Sequence, residues 1–310
     1  MSAIAESGIA EIVAMADSSD TALESAREHA PNCEAASSLE ELLDAGLDGI
    51  VIATPSAMHA AQAIEALERG VAVFCQKPLA RTAAETARVI EAARAADRLL
   101  AVDLSYRFTD AMQRIRHLAR EGELGSIYAV DLVFHNAYGP DKPWFFDPRL
   151  SGGGCVIDLG IHLVDLALWT LDFPPVARAT SRLFSRGEPL RDALTQVEDF
   201  AEARIDLDGG ATVRLACSWN LPAGRDAVIE ASFYGTKGGA AMRNVNGSFF
   251  DFRAERFRGT ARETLSEPPD AWGGRAAVEW ARRLERDNRF EPEVEHLVDV
   301  AAALDAIYGR

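Results

Sequence analysis

Short apolar runs alternate with amphipathic helical stretches over residues 1–105 of the chain. The apolar runs, which read as buried strands, cover residues 11–17, 49–54, 71–75 and 99–104. Helical patterns with polar outer faces lie between them, at residues 21–30, 39–44, 57–69 and 82–96. Buried strands that alternate with helices are typical of a parallel sheet covered on both faces. This part therefore predicts an α/β domain with a doubly wound, Rossmann-type parallel sheet.

The pattern changes after residue 105. An almost continuously apolar helix is predicted over residues 156–171, and period-two alternation follows at 195–207, 211–219 and 227–234. Turn signals separate some of these runs, with Asp-Gly-Gly at 208–210 and Lys-Gly-Gly at 237–239. Residues 106–310 therefore predict an α+β domain with an open, mainly antiparallel sheet.

The front of the first domain departs from the usual dinucleotide-binding pattern. Such domains open with a strand and a G-x-G-x-x-G turn that leads into a helix, and this chain contains no such turn. Residues 1–7 instead resemble the end of that first helix. In the strand order 3-2-1-4-5-6 the absent strand lies in the middle of the sheet. We expect an N-terminally truncated sheet, with Met1 an internal methionine of a longer product, or a rearranged fold.

Composition narrows the classes of partner and the compartment. The chain has 32 Lys and Arg against 48 Asp and Glu, a formal net charge of -16, which repels phosphate backbones and anionic lipids. We therefore expect no nucleic-acid and no membrane partner. No run of the ~20 apolar residues of a membrane helix is expected. The four separated cysteines, without paired metal-ligand spacing, favour reduced thiols in a cytoplasmic protein.

Gln76, Lys77 and Pro78 follow the predicted strand at 71–75. Ligands of open α/β sheets bind at the carboxyl ends of the strands, where a lysine can stabilise a developing alkoxide. The alternative is an ordinary surface lysine at a strand end.

Asp158, His162 and Asp165 lie four and three residues apart in the predicted apolar helix, after glycines 152–154. On an α-helix they form one polar stripe, and buried charges need partners or a purpose. The stripe is interpreted as catalytic. A satisfied internal Asp–His pair and a metal site are the alternatives.

Polar residues at other strand ends complete the candidate site. Asp17 ends the first predicted strand, where a carboxylate accepts both ribose hydroxyls of NAD and repels the 2′-phosphate of NADP; helix capping is its alternative role. Thr54, Pro55 and His59 follow the second strand, where Ser56 also offers a helix cap. The Tyr106–Arg107 pair follows the last strand and faces either a substrate cleft or an interdomain hinge. By loop location alone, a sugar pocket could be lined by four residues of the Pro-punctuated loop, Asn136, Tyr138, Lys142 and Trp144.

These motifs, in this order, resemble the Gfo/Idh/MocA family of oxidoreductases over nearly the whole chain. The resemblance is carried by Ala53-Thr54-Pro55 with His59, Cys75-Gln76-Lys77-Pro78-Leu79, and Gly152-Gly153-Gly154 through Asp158, Gly160, His162 and Asp165.

The resemblance implies a two-domain NAD(P)-dependent dehydrogenase of sugars, inositols and related polyols. It implies that Lys77 lies near nicotinamide and substrate, and that Asp158 and His162 bind substrate and transfer its proton. It further implies a homo-oligomer, a dimer or tetramer through the second-domain sheet, and a last helix that packs back on the first domain. Gln76 replaces the family's usual Glu and brings no charge to the ribose.

The resulting hypothesis is hydride transfer between NAD and a hydroxyl or ketone of a sugar or polyol, with His162 as base, Asp158 orienting it and Lys77 stabilising the alkoxide. A non-catalytic sugar or nucleotide sensor and an NAD-assisted glycoside-cleaving enzyme are the alternatives. The predicted residues are Lys77, Asp158 and His162 for catalysis; Asp17, Thr54, Pro55, His59, Gln76 and Lys77 for cofactor; Tyr106, Arg107, Asp158 and His162 for substrate; and none for metal.

Overall fold

The computed structural model describes residues 1–310. The first part of the chain contains five helices, α1 (Ser2–Ser7), α2 (Asp20–Arg27), α3 (Leu39–Asp44), α4 (Ser56–Glu68) and α5 (Ala83–Ala96). It also contains five strands, β1 (Ala14–Met15), β2 (Glu34–Ala35), β3 (Gly49–Ile52), β4 (Ala72–Cys75) and β5 (Leu100–Val102).

The parallel strands form two sheets, as expected for a doubly wound sheet that lacks its middle strand. One sheet has the order β1-β2 and the other the order β3-β4-β5, and every pair is parallel. β1 and β3 each hydrogen-bond to one neighbour only, so nothing joins the two sheets. Val13, which precedes β1, and Val51 of β3 are 43% and 47% exposed at these edges. The parallel α/β class is therefore confirmed, and the gap between β1 and β3 lies where the sequence lacks the central strand.

Hydroxyl side chains start several helices where the sequence places a cap. Ser19 accepts from the amide of Ala22, and Ser38 accepts from the amide of Glu41. Thr82 caps α5 in the same way. Each oxygen satisfies an amide that has no partner within its helix. The cap of α2 is thus Ser19, and Asp17 lies before it.

The second part of the chain contains α6 (Asp110–Arg120), α7 (Pro148–Ser151), a π-helical turn (Val156–Gly160), α8 (Ile161–Thr170), α9 (Arg275–Arg286) and α10 (His296–Tyr308). Short 3₁₀ turns cover Ser105–Phe108, Pro143–Phe146 and Pro292–Glu295. The strands are β6 (Ile127–Asn136), β7 (Val176–Ser185), β8 (Glu188–Pro189), β9 (Phe200–Leu207), β10 (Thr212–Ser218), β11 (Ala227–Gly235), β12 (Gly239–Asn244), β13 (Phe252–Arg258) and β14 (Ala261–Ser266).

These nine strands form one sheet in the order β14-β13-β12-β11-β6-β10-β9-β7-β8. Only the β6–β10 pair is parallel, which confirms the prediction of a mainly antiparallel sheet. Val130, Leu132 and Phe134 alternate along β6 and enter the main core with α6, α8 and α10. The intervening residues of β6 lie on the sheet face that these helices leave uncovered.

The segment Pro148–Thr170 corrects the expectation that no run reaches membrane length. By length and composition alone it could cross a membrane, but 83% of its apolar window is buried inside the protein. Its apolar character follows from its position in the core, where Leu163 and Leu166 are fully buried.

The last two helices contact the first part of the chain. Trp280 of α9 packs against Phe74 of β4, with ring centroids 5.7 Å apart. Asp305 of α10 accepts a hydrogen bond from the amide of Ala83 at the start of α5, at 2.8 Å. Therefore α9 covers part of the β3-β4-β5 sheet, and α10 covers part of α5. The boundary at residues 105 and 106 stays a prediction.

A fully buried carboxylate, that of Glu198, joins three distant segments. It accepts from the amides of Gly154 and Val156 at 3.0 and 2.9 Å, and from the Tyr308 hydroxyl at 2.7 Å. Burial raises the pKa of the Glu198 carboxyl, and these donors act in the opposite direction. A Cβ atom on Gly154 would lie 1.9 Å from the carbonyl oxygen of Glu198, and one on Gly153 would lie 2.1 Å from the Tyr308 oxygen. Glycine is therefore required at both positions.

The Glu198→Gln variant tests this anchor. With its oxygen at the Oε1 position the amide still accepts from Val156 and Tyr308, but its NH2 group replaces Oε2, which also accepts from Gly154, and so creates a buried donor–donor contact. We expect a loss of about 2 kcal/mol in the free energy of unfolding, measured by urea denaturation. Glu202→Gln, an exposed position on β9, is the matched control, with a change within about 0.5 kcal/mol. Equal stability of the two variants would contradict the assignment.

Candidate active site

A cleft opens at the carboxyl ends of β3 and β4, the edge where open α/β sheets bind ligands. It has a volume of about 600 Å³, its open mouth included. Its lining residues are Ala53, Thr54, Ser56, His59, Gln76, Lys77, Pro78, Trp144, Phe145, Ser151, Gly153, Ile157 and Asp158. The structure therefore brings together three of the motifs that the sequence shows separately.

Lys77 and Asp158 form the central contact of the cleft. The Lys77 Nζ atom donates to the backbone carbonyl oxygen and to Oδ1 of Asp158, both at 2.6 Å. Both side chains are only 16% exposed. This ion pair holds the ammonium inside the cleft. Because both side chains are largely shielded from water, the charge acts strongly on a substrate oxygen that binds beside it. The pair also joins the end of β4 to the π-helical turn.

The π-helical turn positions Asp158. Its Oδ2 atom accepts a hydrogen bond from the Trp219 indole at 3.0 Å, so both carboxylate oxygens have partners. Single π turns inside α-helices are frequent at functional sites. Because the wider turn breaks the α-helical register that the sequence predicts, Asp158 has no hydrogen bond to His162. The expectation that Asp158 orients the imidazole is therefore wrong in this structure.

Packing orients His162 instead. Its ring lies 4.8 Å from the ring of Tyr106, centroid to centroid, and its Nδ1 atom is buried without a hydrogen-bond partner. Burial, and next the charge of Lys77, hold the pKa of His162 well below its ordinary value. The imidazole is therefore neutral at neutral pH and available as a proton acceptor. Neither residue is among those that line the cleft: Tyr106 is buried and His162 is half-buried beside it.

Arg107 makes an ion pair away from the cleft lining. Its Nε donates to Oδ2 of the fully buried Asp165 at 2.8 Å, and a second guanidinium nitrogen contacts Oδ1. The guanidinium also lies over the rings of Trp169 and Phe173. The structure therefore gives Asp165 a partner, and the contact of Arg107 with substrate stays a prediction.

The residues predicted for the cofactor occupy several strand ends. The Thr54 hydroxyl donates to the side-chain oxygen of Gln62 at 2.6 Å. The ring nitrogens of His59 lie 2.7 and 2.6 Å from the carbonyl oxygens of Pro78 and Thr54, which joins the two strand ends behind the cleft. Pro55 immediately precedes α4. These contacts shape the rim of the cleft, and their part in cofactor binding stays a prediction.

Asp17 and Gln76 lie on different sheets. Asp17 follows β1, is exposed, and its Oδ1 accepts from the amide of Ser19 at 2.8 Å. Gln76 donates from its amide nitrogen to Oδ2 of Asp103 at 2.7 Å. Asp103 directly follows β5, so the pattern of polar residues at strand ends could have identified it. Its pKa is raised, chiefly by burial.

Two aromatic residues at the cleft, Phe145 and Trp219, were also absent from the predicted set, whereas Trp144 belongs to the loop that its location alone marked as a lining of a sugar pocket. Trp144 and Phe145 line the cleft, and the Trp219 indole donates a hydrogen bond to Asp158. Their sequence signals are weak, because an aromatic residue in a loop or at a strand end is more often core. No group of three or more His, Cys, Asp or Glu side chains is arranged to hold a metal ion.

A nicotinamide cofactor fits one end of this site and lacks a holder at the other. Gln76, Lys77 and the rim at Thr54 offer polar groups at the carboxyl edge of β3 and β4. Asp17, on the other sheet, offers a carboxylate for a ribose. The pyrophosphate normally binds a G-x-G-x-x-G turn at a helix N-terminus, which this sequence does not contain.

Two family models match the chain. The description "Oxidoreductase family, NAD-binding Rossmann fold" covers residues 2–104, and "GFO/IDH/MocA C-terminal domain" covers residues 112–241. Together they span both parts of the structure, in the expected order.

Two individual relatives support the same family. The chain is 30% identical over 205 residues to the D-glucoside 3-dehydrogenase of Escherichia coli, which is 63% of this chain and 58% of that protein. It is 30% identical over 245 residues to the rhizopine catabolism protein MocA of Rhizobium meliloti, which is 78% of this chain and 73% of that protein.

A levoglucosan dehydrogenase solved with NADH and levoglucosan has the same fold. Its TM-score is 0.82 at 20% identity, over 99% of this chain and 92% of that one. With the order of motifs, the two parts of the fold and these matches, the chain belongs to the Gfo/Idh/MocA family of oxidoreductases.

Proposed function

We propose that this protein is an oxidoreductase that transfers a hydride between NAD and a hydroxyl or ketone of a sugar or related polyol. The observation that carries the proposal is the Lys77–Asp158 contact of 2.6 Å in the cleft, with the half-buried His162, whose pKa is held low, one helical turn away. The relatives named for activity on a glucoside and on levoglucosan support a sugar as substrate.

The bound nicotinamide supplies the hydride acceptor or donor, and the protein positions the reacting groups around it. Lys77 and Gln76 would hold the nicotinamide end at the cleft rim, and Asp17 would hold a ribose. The Asp17 carboxylate favours NAD over NADP, because it repels a 2′-phosphate. No arginine lies among the residues 18–20 that follow it.

The chain's own residues then divide the acid–base work. His162, neutral and hydrogen-bonded to nothing at Nδ1, accepts the proton of the substrate hydroxyl at Nε2. Lys77 donates a hydrogen bond to the same oxygen as it gains alkoxide character. Asp158 holds Lys77 in position through their ion pair and offsets part of its positive charge.

Assembly belongs to the same proposal. The face of the nine-stranded sheet opposite α6, α8 and α10 is not covered by a helix in a single chain, and Ala129, Asp131 and Val133 of β6, on that face, are only partly buried. This supports a dimer or tetramer through that sheet. We also propose a cytoplasmic location, from the four unpaired cysteines.

Lys77→Ala tests the proposed chemistry. Loss of the ammonium removes a donor to the developing alkoxide, so we expect turnover to fall roughly 100-fold or more, with a much smaller change in NADH affinity. Initial rates of NADH formation from NAD⁺ with methyl β-D-glucopyranoside, levoglucosan and myo-inositol give turnover. A fluorescence titration with NADH gives affinity.

Lys237→Ala is the control, because this exposed lysine lies in the turn between β11 and β12, away from the cleft. Unchanged turnover in Lys77→Ala would remove Lys77 from the mechanism. A folded wild-type protein that binds neither NAD⁺ nor NADH would overturn the proposed function.

The low pKa of His162 predicts a pH dependence. Because the folded-state pKa is depressed below the ordinary ~6.5, the imidazole stays neutral there and protonates only at lower pH. We expect kcat/KM for sugar oxidation to be unchanged as the pH passes 6.5 and to fall only at lower pH, where the ring of the folded protein becomes protonated. Stability that depends on the neutral ring is likewise lost as the pH falls below ~6.5. NMR titration of the His162 ring measures the pKa directly, with exposed His29 as the reference signal, and a midpoint at 6.5 or above would contradict the assignment.

A further inference from the structure

The cleft carries an aromatic wall, Trp144 and Phe145, that hydride transfer does not require. Both residues line the cleft that also holds Lys77 and Asp158. Their rings stack on each other, with centroids 3.8 Å apart and planes 20° from parallel. A stacked pair in a polar site presents a flat apolar surface beside the reacting groups.

The aromatic wall is supported by packing against the main core and Trp219. Phe145 packs on the main core and meets the edge of Trp219, with centroids 6.4 Å apart at 87°. The Trp219 indole in turn donates to Asp158. The wall and the acid that binds Lys77 are therefore fixed to one another through a single buried indole, and Phe145 covers one face of Trp144.

The backbone of the wall is fixed at both ends. Pro143 begins its 3₁₀ turn, and Asp147 directly after it accepts from the amide of Arg149 at the start of α7. An Arg81 guanidinium nitrogen donates to the carbonyl oxygen of Arg149, which attaches α7 to the first part of the chain. Trp144 therefore enters the cleft on a short, constrained segment.

We propose that Trp144 is the platform on which the apolar face of a sugar ring lies, so that the substrate is a cyclic sugar and not an open-chain polyol. A pyranose ring with equatorial hydroxyls carries its axial C–H groups on flat faces, which match an indole. An extended polyol has no such face. This inference rests on the proposed function and specifies which substrates the site selects.

Trp144→Ala and Trp144→Phe test the platform by two readouts. Saturation-transfer NMR with methyl β-D-glucopyranoside, with and without NADH, reports which sugar protons contact the protein. In the wild type we expect the axial protons of one ring face to receive the strongest saturation. Trp144→Ala should weaken sugar affinity about tenfold, and Trp144→Phe should retain most of it.

The second readout is substrate selection. We expect the wild type to have a far higher kcat/KM for the glucopyranoside than for D-glucitol, and Trp144→Ala to narrow this ratio by raising KM for the glucopyranoside, because the open-chain polyol does not use the platform. Tyr138→Ala is the control, since Tyr138 is an exposed aromatic residue beyond the end of β6 that does not line the cleft. Circular dichroism of each variant confirms folding.

Three outcomes would overturn the proposal: wild type that does not bind the glucopyranoside with or without NADH, unchanged binding in Trp144→Ala, or equal losses for glucopyranoside and glucitol. Sugar binding through Trp144 without any hydride transfer would instead overturn the proposed function and retain the platform. The two proposals therefore fail separately.

Discussion

The hydrogen bonds of Glu198 are the contacts on which the rest of the site depends. One carboxylate accepts amide donors from the segment that leads into the π-helical turn and a hydroxyl from the last helix. A buried carboxylate without such donors is strongly unfavourable, so the three segments have one arrangement in which this group is satisfied. That arrangement sets where the π-helical turn begins, and so where Asp158 meets Lys77.

The Lys77–Asp158 pair has a different role, because it crosses between the two parts of the chain. The contact brings the end of β4 and the π-helical turn before α8 to the same cleft. Because the cost of desolvating the two charges offsets much of their attraction, the pair fixes the geometry of the cleft more than it stabilises the fold. Burial, and next the charge of the same ammonium, lower the pKa of His162. Lys77 therefore supplies the charge of the proposed reaction and adds to the effect of burial on its base.

The sequence predicted classes of structure better than their connections. The α/β alternation, the antiparallel sheet and the strand ends that carry Lys77 and Thr54 follow from local periodicity, which survives in the fold. The π-helical turn does not, because a helix with one extra residue has the same apolar pattern as a regular one. The partners of Asp158 and Arg107 also lie outside what spacing can show, since Trp219 and Asp165 meet them only through tertiary packing. The aromatic wall depends on the same long-range contacts.

The separation of the two parallel sheets has a thermodynamic consequence. The β1–β2 unit packs around a cluster of only 3 buried residues, whereas β3–β5 share a cluster of 17 with neighbouring helices. Small units with few buried contacts open at a lower free-energy cost than the body of a protein. Asp17 and the Lys77 cleft therefore belong to regions of unequal local stability. If the proposed roles hold, binding of a ribose at Asp17 and chemistry at Lys77 are separable, and the β1–β2 unit can open locally while the Lys77 cleft stays formed.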